Sequence, residues 1–207
     1  MTAISAIPGS LRATEAIETR RSIRKYHPDM PLHHLQEILR LATLAPSAWN
    51  AQPWRFVVVA SPEVKTQLHA AAYQQNQVLE APYTIVLYSD AEDTLHTAIE
   101  TSHPHFGEEG QIRQVQTLQK ALSRLSIEQR AQWGDTQANI LLGVLMVAAR
   151  GLGYDTVPML GFDQSKVKTL LGLPEHVTIT ALLPIGRAAE TGRPHHRHSL
   201  ERLTRYV

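Results

Sequence analysis

Apolar positions change their period several times along the chain, and each change marks an element. Leu35, Ile38, Leu39 and Ala42 fall at i, i+3, i+4 and i+7, which predicts an amphipathic helix over Pro31–Leu44 with prolines at its borders. Phe56–Ala60 (FVVVA) is a β-branched run and predicts a buried strand; Ser61-Pro62-Glu63 follows with the N-cap, first-turn proline and acid of a new helix. Tyr83–Tyr88 (YTIVLY) and Val177–Ile185 (VTITALLPI) predict two further strands. Gln137–Ala149 (QANILLGVLMVAA) is apolar nearly all round, so it predicts a central helix, buried or at a subunit interface, with Gly151 and Gly153 at its end. Nearer the N-terminus, Ser10 is placed to cap a helix running to about Glu18–Arg20. Asp163 is placed to cap Ser165–Leu171, closed by Gly172. The Gln-rich stretch 101–132 is polar with helical propensity, and Ser126 and Gln129 match a capping box. Helices outnumber strands without regular alternation. The fold class is therefore α+β, an open sheet covered by helices, in one domain over 1–207 with 101–132 as a helical excursion.

Composition narrows the partners. Twenty Lys+Arg against 19 Asp+Glu leave a net charge of +1 over 207 residues, so no overall field favours nucleic acid or a membrane surface. The stretch MTAISAIPGSLRATEAI lacks the basic start and apolar core of a secretory signal, apolar runs stop short of a membrane span, and there is no cysteine. A cytoplasmic setting is the expectation. The balance is uneven locally. Residues 1–30 and 186–207 are rich in arginine, whereas 90–110 carry six acids and no Lys or Arg. An anion site near the two ends would suit this pattern, although solvated faces produce such clusters too.

Four segments carry the candidate chemistry. Arg20–Tyr26 (RRSIRKY) gathers three guanidiniums and a hydroxyl, donors whose planar fork suits phosphate oxygens. Ala45–Trp54 (APSAWNAQPW) concentrates small polar side chains, prolines and tryptophans in a loop entering a strand; Trp54 reads as core. In Gly153–Asp163, Pro158 and Gly161 flank two apolar residues and suggest backbone N–H groups exposed at a tight bend. Gly192–Leu200 (GRPHHRHSL) is a second basic loop. The histidines around His103 and His195 lack helical ligand spacing, so no metal is expected.

In this order, these segments make the chain resemble the FMN-dependent nitroreductase family over essentially its whole length. The resemblance implies a nitroreductase-like fold, with a central, mostly antiparallel sheet flanked by helices, in an intertwined homodimer. It implies that Arg20, Arg21 and Ser22 hold the FMN phosphate and ribityl chain, and that Arg24 lies near the pyrimidine edge of the ring. Pro46, Ser47, Ala48 and Asn50 would reach the flavin of the opposite subunit. Gln74 and Gln77 would contact the pyrimidine, the latter where some members carry lysine. Pro158, Met159, Leu160 and Gly161 would face the flavin N5 and O4. Arg197 and His195 would complete the phosphate clamp, His195 standing where a permanent cation is commoner.

The activity so implied is ping-pong hydride transfer from NADH or NADPH, through FMN, to nitroaromatics, quinones or similar planar electrophiles, with no protein nucleophile. Alternatives are a flavin-dependent reductase of another metabolite, such as an enal or halogenated aromatic, and a non-catalytic FMN-storage protein. Trp133 and Tyr73 could line the substrate slot but read rather as core residues, Trp49 as either core or flavin loop, and 101–132 as either a lid over the ring or padding at the dimer surface.

Overall fold

The computed structural model describes residues 10–207; the first nine residues of the leader reading lie outside them. In chain order the elements are α1 (Ala13–Thr19), β1 (Tyr26–His27), α2 (Leu32–Ala42), β2 (Trp54–Val59), α3 (Pro62–Ala71), α4 (Gln77–Glu80), β3 (Tyr83–Ser89), α5 (Ala91–Thr101), α6 (Gly107–Leu122), α7 (Ile127–Gly151), β4 (Asp155–Thr156), α8 (Gln164–Leu171), β5 (Thr178–Ala188) and α9 (Leu200–Leu203). The sheet has the order β1-β5-β3-β2 with β4 also on β5, and all of these strand pairs are antiparallel.

Both faces of this sheet are covered. Ile85 and Leu87 of β3 point with Leu183 and Ile185 of β5 into a core completed by Leu35 and Ile38 of α2 and Leu141, Leu145 and Ala149 of α7. Val86 and Leu182 point the other way, against Leu68 of α3, Phe162 and Val167 of α8. Burial of alternate residues on opposite faces explains why the strands read as continuous apolar runs although the sheet is antiparallel.

Local capping follows the sequence closely. Ser61 Oγ accepts from Val64 N–H at α3, Asp163 Oδ1 from Lys166 N–H at α8, and Ser126 Oγ from Gln129 N–H while the Gln129 side chain accepts from Ser126 N–H. Gly172 closes α8 in the left-handed region. The first helix differs: it starts at Ala13, not beside Ser10, and the Glu15 carboxylate accepts from Arg12 N–H at 2.9 Å. FVVVA also differs. Its Phe56–Val59 lie in β2, at the edge of the sheet, with Val58 open to solvent, because among the described residues no strand pairs beyond it. Helix α5, capped by Asp90, and the two-residue strands β1 and β4 were not legible in the apolar pattern.

Helix α7 has 25 residues and takes in the last part of the 101–132 stretch. Its Gln137, Ala138, Leu141, Leu145 and Ala149 face the core while Ile140 is exposed. Among the described residues no helix is long and apolar enough to cross a membrane. Leu145 is fully buried at the centre of this packing. Leu145→Ala is therefore expected to destabilise the fold by about 2–5 kcal/mol in urea denaturation, whereas Ile99→Ala on the open side of α5 should cost under about 0.5 kcal/mol.

Candidate functional site

Strand pairing brings the two arginine-rich ends of the chain together. After α1 the backbone extends, Ser22 bridges Thr156 of β4, and Ile23 N–H donates to Thr156 C=O at 3.2 Å. Tyr26 then pairs with Ala188 at the end of β5, and its hydroxyl donates to Ile23 C=O. Beyond β5 the chain runs back along this segment: Ala189 N–H donates to Lys25 C=O at 2.9 Å, and Arg24 N–H to the Glu190 carboxylate at 2.6 Å. Gly192 lies directly on Arg21. A β-carbon there would clash with the Arg21 side chain and come within 3.0 Å of Ile23 Cδ1.

A cavity of about 190 Å³ results, lined by Arg20, Arg21, Ser22 and Arg24 on one side and Arg193, Pro194, His195 and Arg197 on the other. Among the described residues no carboxylate lines it. His195 Nε2 stands 2.8 Å from Arg21 Nη1 and 2.9 Å from Arg20 C=O. Partial burial, then the nearby Arg197 and Arg21 charges, push the Arg20 pKa down; Asp155 opposes them. Asp155 is buried, paired with Arg150 at 3.1 Å, and its own pKa is raised by that burial. Converging cations of this kind are relieved by an anion, and guanidiniums suit phosphate oxygens bidentately. The sequence reading named Arg20, Arg21, Ser22, Arg24, His195 and Arg197 and missed Arg193; the GRPHHRHSL motif contained it. Arg24 lies with the other arginines.

From Thr156 the next segment follows β5. Val157 N–H donates to Pro184 C=O, and Met159 exchanges both backbone bonds with Leu182. The expected row of free amides is thus shorter than the sequence suggested, since β5 takes those of Val157 and Met159. Leu160, 73% exposed, and Gly161 form the outward part. Gln75 Nε2 donates to Gly161 C=O at 2.7 Å, and Gln77 Nε2 to Gln75 Oε1 at 3.1 Å. Gln75, not Gln74, therefore reaches this segment. Tyr73 and Gln74 adopt left-handed backbone angles that turn Gln74 to solvent; Tyr73 is exposed too, against its reading as core. A run with three glutamines, Gln74-Gln75-Asn76-Gln77, holds no periodicity that could have separated them.

The Pro46–Asn50 loop does not line the arginine cavity of its own chain. It is braced elsewhere: Ala48 N–H donates to Gln137 Oε1 at 2.9 Å, Asn50 Nδ2 to Thr101 C=O at 2.7 Å, Gln114 Nε2 to Trp49 C=O at 2.7 Å, and Ser47 Oγ accepts from Gln52 N–H. Trp49 and Asn50 line a second cavity, of about 840 Å³, with residues of the 101–132 excursion. Trp133 packs on Ala51, Leu118 and Leu122, its ring 6.4 Å from Trp49, and Trp54 is core.

Residues 17–187 match the model of the Nitroreductase family. The chain is 46% identical over 194 residues to the NADH dehydrogenase of Thermus thermophilus, covering 93% of this chain and 95% of that protein. It is 32% identical to YdgI of Bacillus subtilis, provisionally named an NAD(P)H nitroreductase, over 93% of this chain and 96% of the relative. A structure from Exiguobacterium sibiricum, solved in complex with FMN, superposes with a TM-score of 0.86 at 26% identity over 96% of this chain and 98% of the other. The chain belongs to the nitroreductase family.

The brace on the loop is testable. Gln137→Leu leaves the Ala48 N–H without its acceptor in a partly buried position, so stability should fall by about 1–3 kcal/mol. Hydrogen exchange at the Ala48 amide should accelerate with it.

Proposed function

We propose that this chain is a cytoplasmic, homodimeric, FMN-dependent NAD(P)H oxidoreductase, a single domain that reduces nitroaromatics, quinones or similar planar electrophiles. The observation that carries the reading is the convergence of Arg20, Arg21, Arg193 and Arg197 on one cavity without a lining carboxylate. The donor set fits the phosphate of FMN: several guanidinium forks, the Ser22 hydroxyl and a bare Gly192 that lets the two strands of the cradle close. Ser22, in the cradle, bridges Thr156, and the Thr156–Gly161 segment leads on to Gln75, polar and backbone groups that suit a flat heterocycle.

Within that reading, Arg20, Arg21, Arg193 and Arg197 anchor the phosphate, and His195, against Arg21, completes the clamp. Arg24 supplies positive charge beside the cofactor. Leu160 and Gly161, with Pro158 beside them, form the wall along the ring, Met159 being buried beneath it, and Gln75, braced by Gln77, holds that wall through the Gly161 carbonyl. FMN, when bound, supplies the two-electron carrier between nicotinamide and electrophile. For a nitro compound the balance is RNO2 + NAD(P)H + H⁺ → RNO + NAD(P)⁺ + H2O. Pro46, Ser47, Ala48 and Asn50 would close the crevice of a second copy, which is consistent with a loop held away from its own arginines. The open Ile140 side of α7 is the apolar surface such a partner would cover.

The purified protein is expected to be yellow and its bound flavin to be bleached anaerobically by NADH or NADPH. Bound flavin that neither reductant bleaches would instead mark a storage protein. Arg20→Ala removes a charge-assisted contact and should weaken FMN retention by about tenfold or more on dilution. Gly192→Ala should displace the C-terminal arm from Arg21, reducing affinity for FMN by about tenfold while leaving riboflavin binding within about twofold. Equal losses for both ligands would place the effect outside the phosphate cradle.

A further inference from the structure

The second cavity adjoins the loop assigned above to the partner's cofactor, and its lining is unlike that of the arginine cradle. Trp49 and Asn50 form one wall, and His103, Phe106, Gly110, Arg113 and Gln114 the other. The walls are tied together by Gln114 Nε2 on Trp49 C=O and Asn50 Nδ2 on Thr101 C=O. Gly110 brings an aromatic ring and a cation close to one spot: a β-carbon there would sit 2.8 Å from Phe106 Cβ and 3.9 Å from Arg113 Nη2. Phe106 is exposed although large and apolar, and Trp49 is 40% exposed. Arg113 is the one permanent charge among these lining residues. Its pairing with Glu109 is loose, 3.4 Å between side chains that are 70% and 89% exposed, so an incoming carboxylate can replace it at little cost.

We infer that this groove is the seat of the electrophile, and that it selects planar aromatics bearing a carboxylate, the ring beside Trp49 and Phe106 and the anion on Arg113. The inference rests on the proposed FMN-dependent reading and deepens it by naming a substrate class. The geometry gives each part a task. Two aromatic side chains offer flat apolar surface to a ring. The guanidinium offers two parallel donors to a carboxylate, which a nitrile, amide or alcohol at the same place does not satisfy as well. Volume is not restrictive, since about 840 Å³ exceeds a single ring. Discrimination therefore comes from Arg113 more than from shape. A substrate lacking the anion still enters and reacts, with a higher KM.

Benzoate and the neutral benzamide, neither of which is reducible at a nitro group, serve as binding probes on the protein as purified. Benzoate should quench tryptophan emission with about three- to tenfold higher affinity than benzamide, and Arg113→Gln should abolish that difference. In turnover, Arg113→Gln should raise KM for 4-nitrobenzoate by about the same factor, leaving kcat and the KM for 4-nitrobenzamide within about twofold. Glu109→Gln, which removes the competing carboxylate, should tighten benzoate. Equal effects of Arg113→Gln on the acid and the amide would overturn the proposal. So would an increase in the KM for NADH alone, which would assign Arg113 to the dinucleotide pyrophosphate. Failure of the FMN reading appears separately, as a missing flavin spectrum, and leaves the tryptophan titration of benzoate against benzamide intact as a test of the groove.

Discussion

Mutual repulsion among guanidiniums is the constraint around which the candidate site is organised. Five arginines line one small cavity; of the carboxylates near them, Glu190 accepts from the Arg24 backbone and the buried Asp155 is held by Arg150. Left alone, flexible arginines would separate into solvent. They stay together because their backbones are fixed by pairings that do not involve their charges: Ser22 on Thr156, Tyr26 on Ala188, Arg24 N–H on Glu190, and Gly192 against Arg21. The sheet supplies the rigidity and the cations supply the selectivity for an anion.

The loop from Pro46 to Gln52 works under a different constraint. Trp49, Asn50 and Gln52 all sit in the left-handed region, with φ of 54°, 56° and 47°. Asparagine tolerates that conformation; tryptophan and glutamine adopt it at a cost on the order of 1–3 kcal/mol each. Hydrogen bonds from Gln137, Thr101 and Gln114 hold the loop in place against that strain. Those three residues lie on α7, α5 and α6, and two of them, Thr101 and Gln114, belong to the glutamine-rich 101–132 excursion, which thus has a structural task in addition to lining the second cavity.

Much of this architecture could be read from the chain because the determinants are local. Ser61, Ser126 and Asp163 cap helices through bonds to residues three positions away, and Gly172 ends α8 through its own φ. The apolar run at Tyr83–Tyr88 forms the strand its pattern predicts, and Gln137–Ala149 forms the core-packed part of α7, with Ile140 on its open side. Where reading failed, the deciding factor was a neighbour. Phe56–Ala60 is as apolar as a central strand, yet its place at the sheet edge depends on what pairs beyond it. Strands β1 and β4, at two residues each, exist only through β5.

The site divides along the same line. RRSIRKY and GRPHHRHSL supply donors that suit an anion, because a guanidinium carries its charge and its fork wherever it lies, but composition alone does not separate such a site from a solvated basic face. Folding brings them together, through a bond such as Arg24 to Glu190 across 166 residues of sequence. Likewise the run Gln74–Gln77 advertises amides, but which one touches Gly161 was settled by a left-handed turn at Tyr73 and Gln74 and by the course of β5. Residue chemistry is a property of each position; distance between positions belongs to the packed molecule, where burial of apolar side chains on both faces of one sheet fixes it.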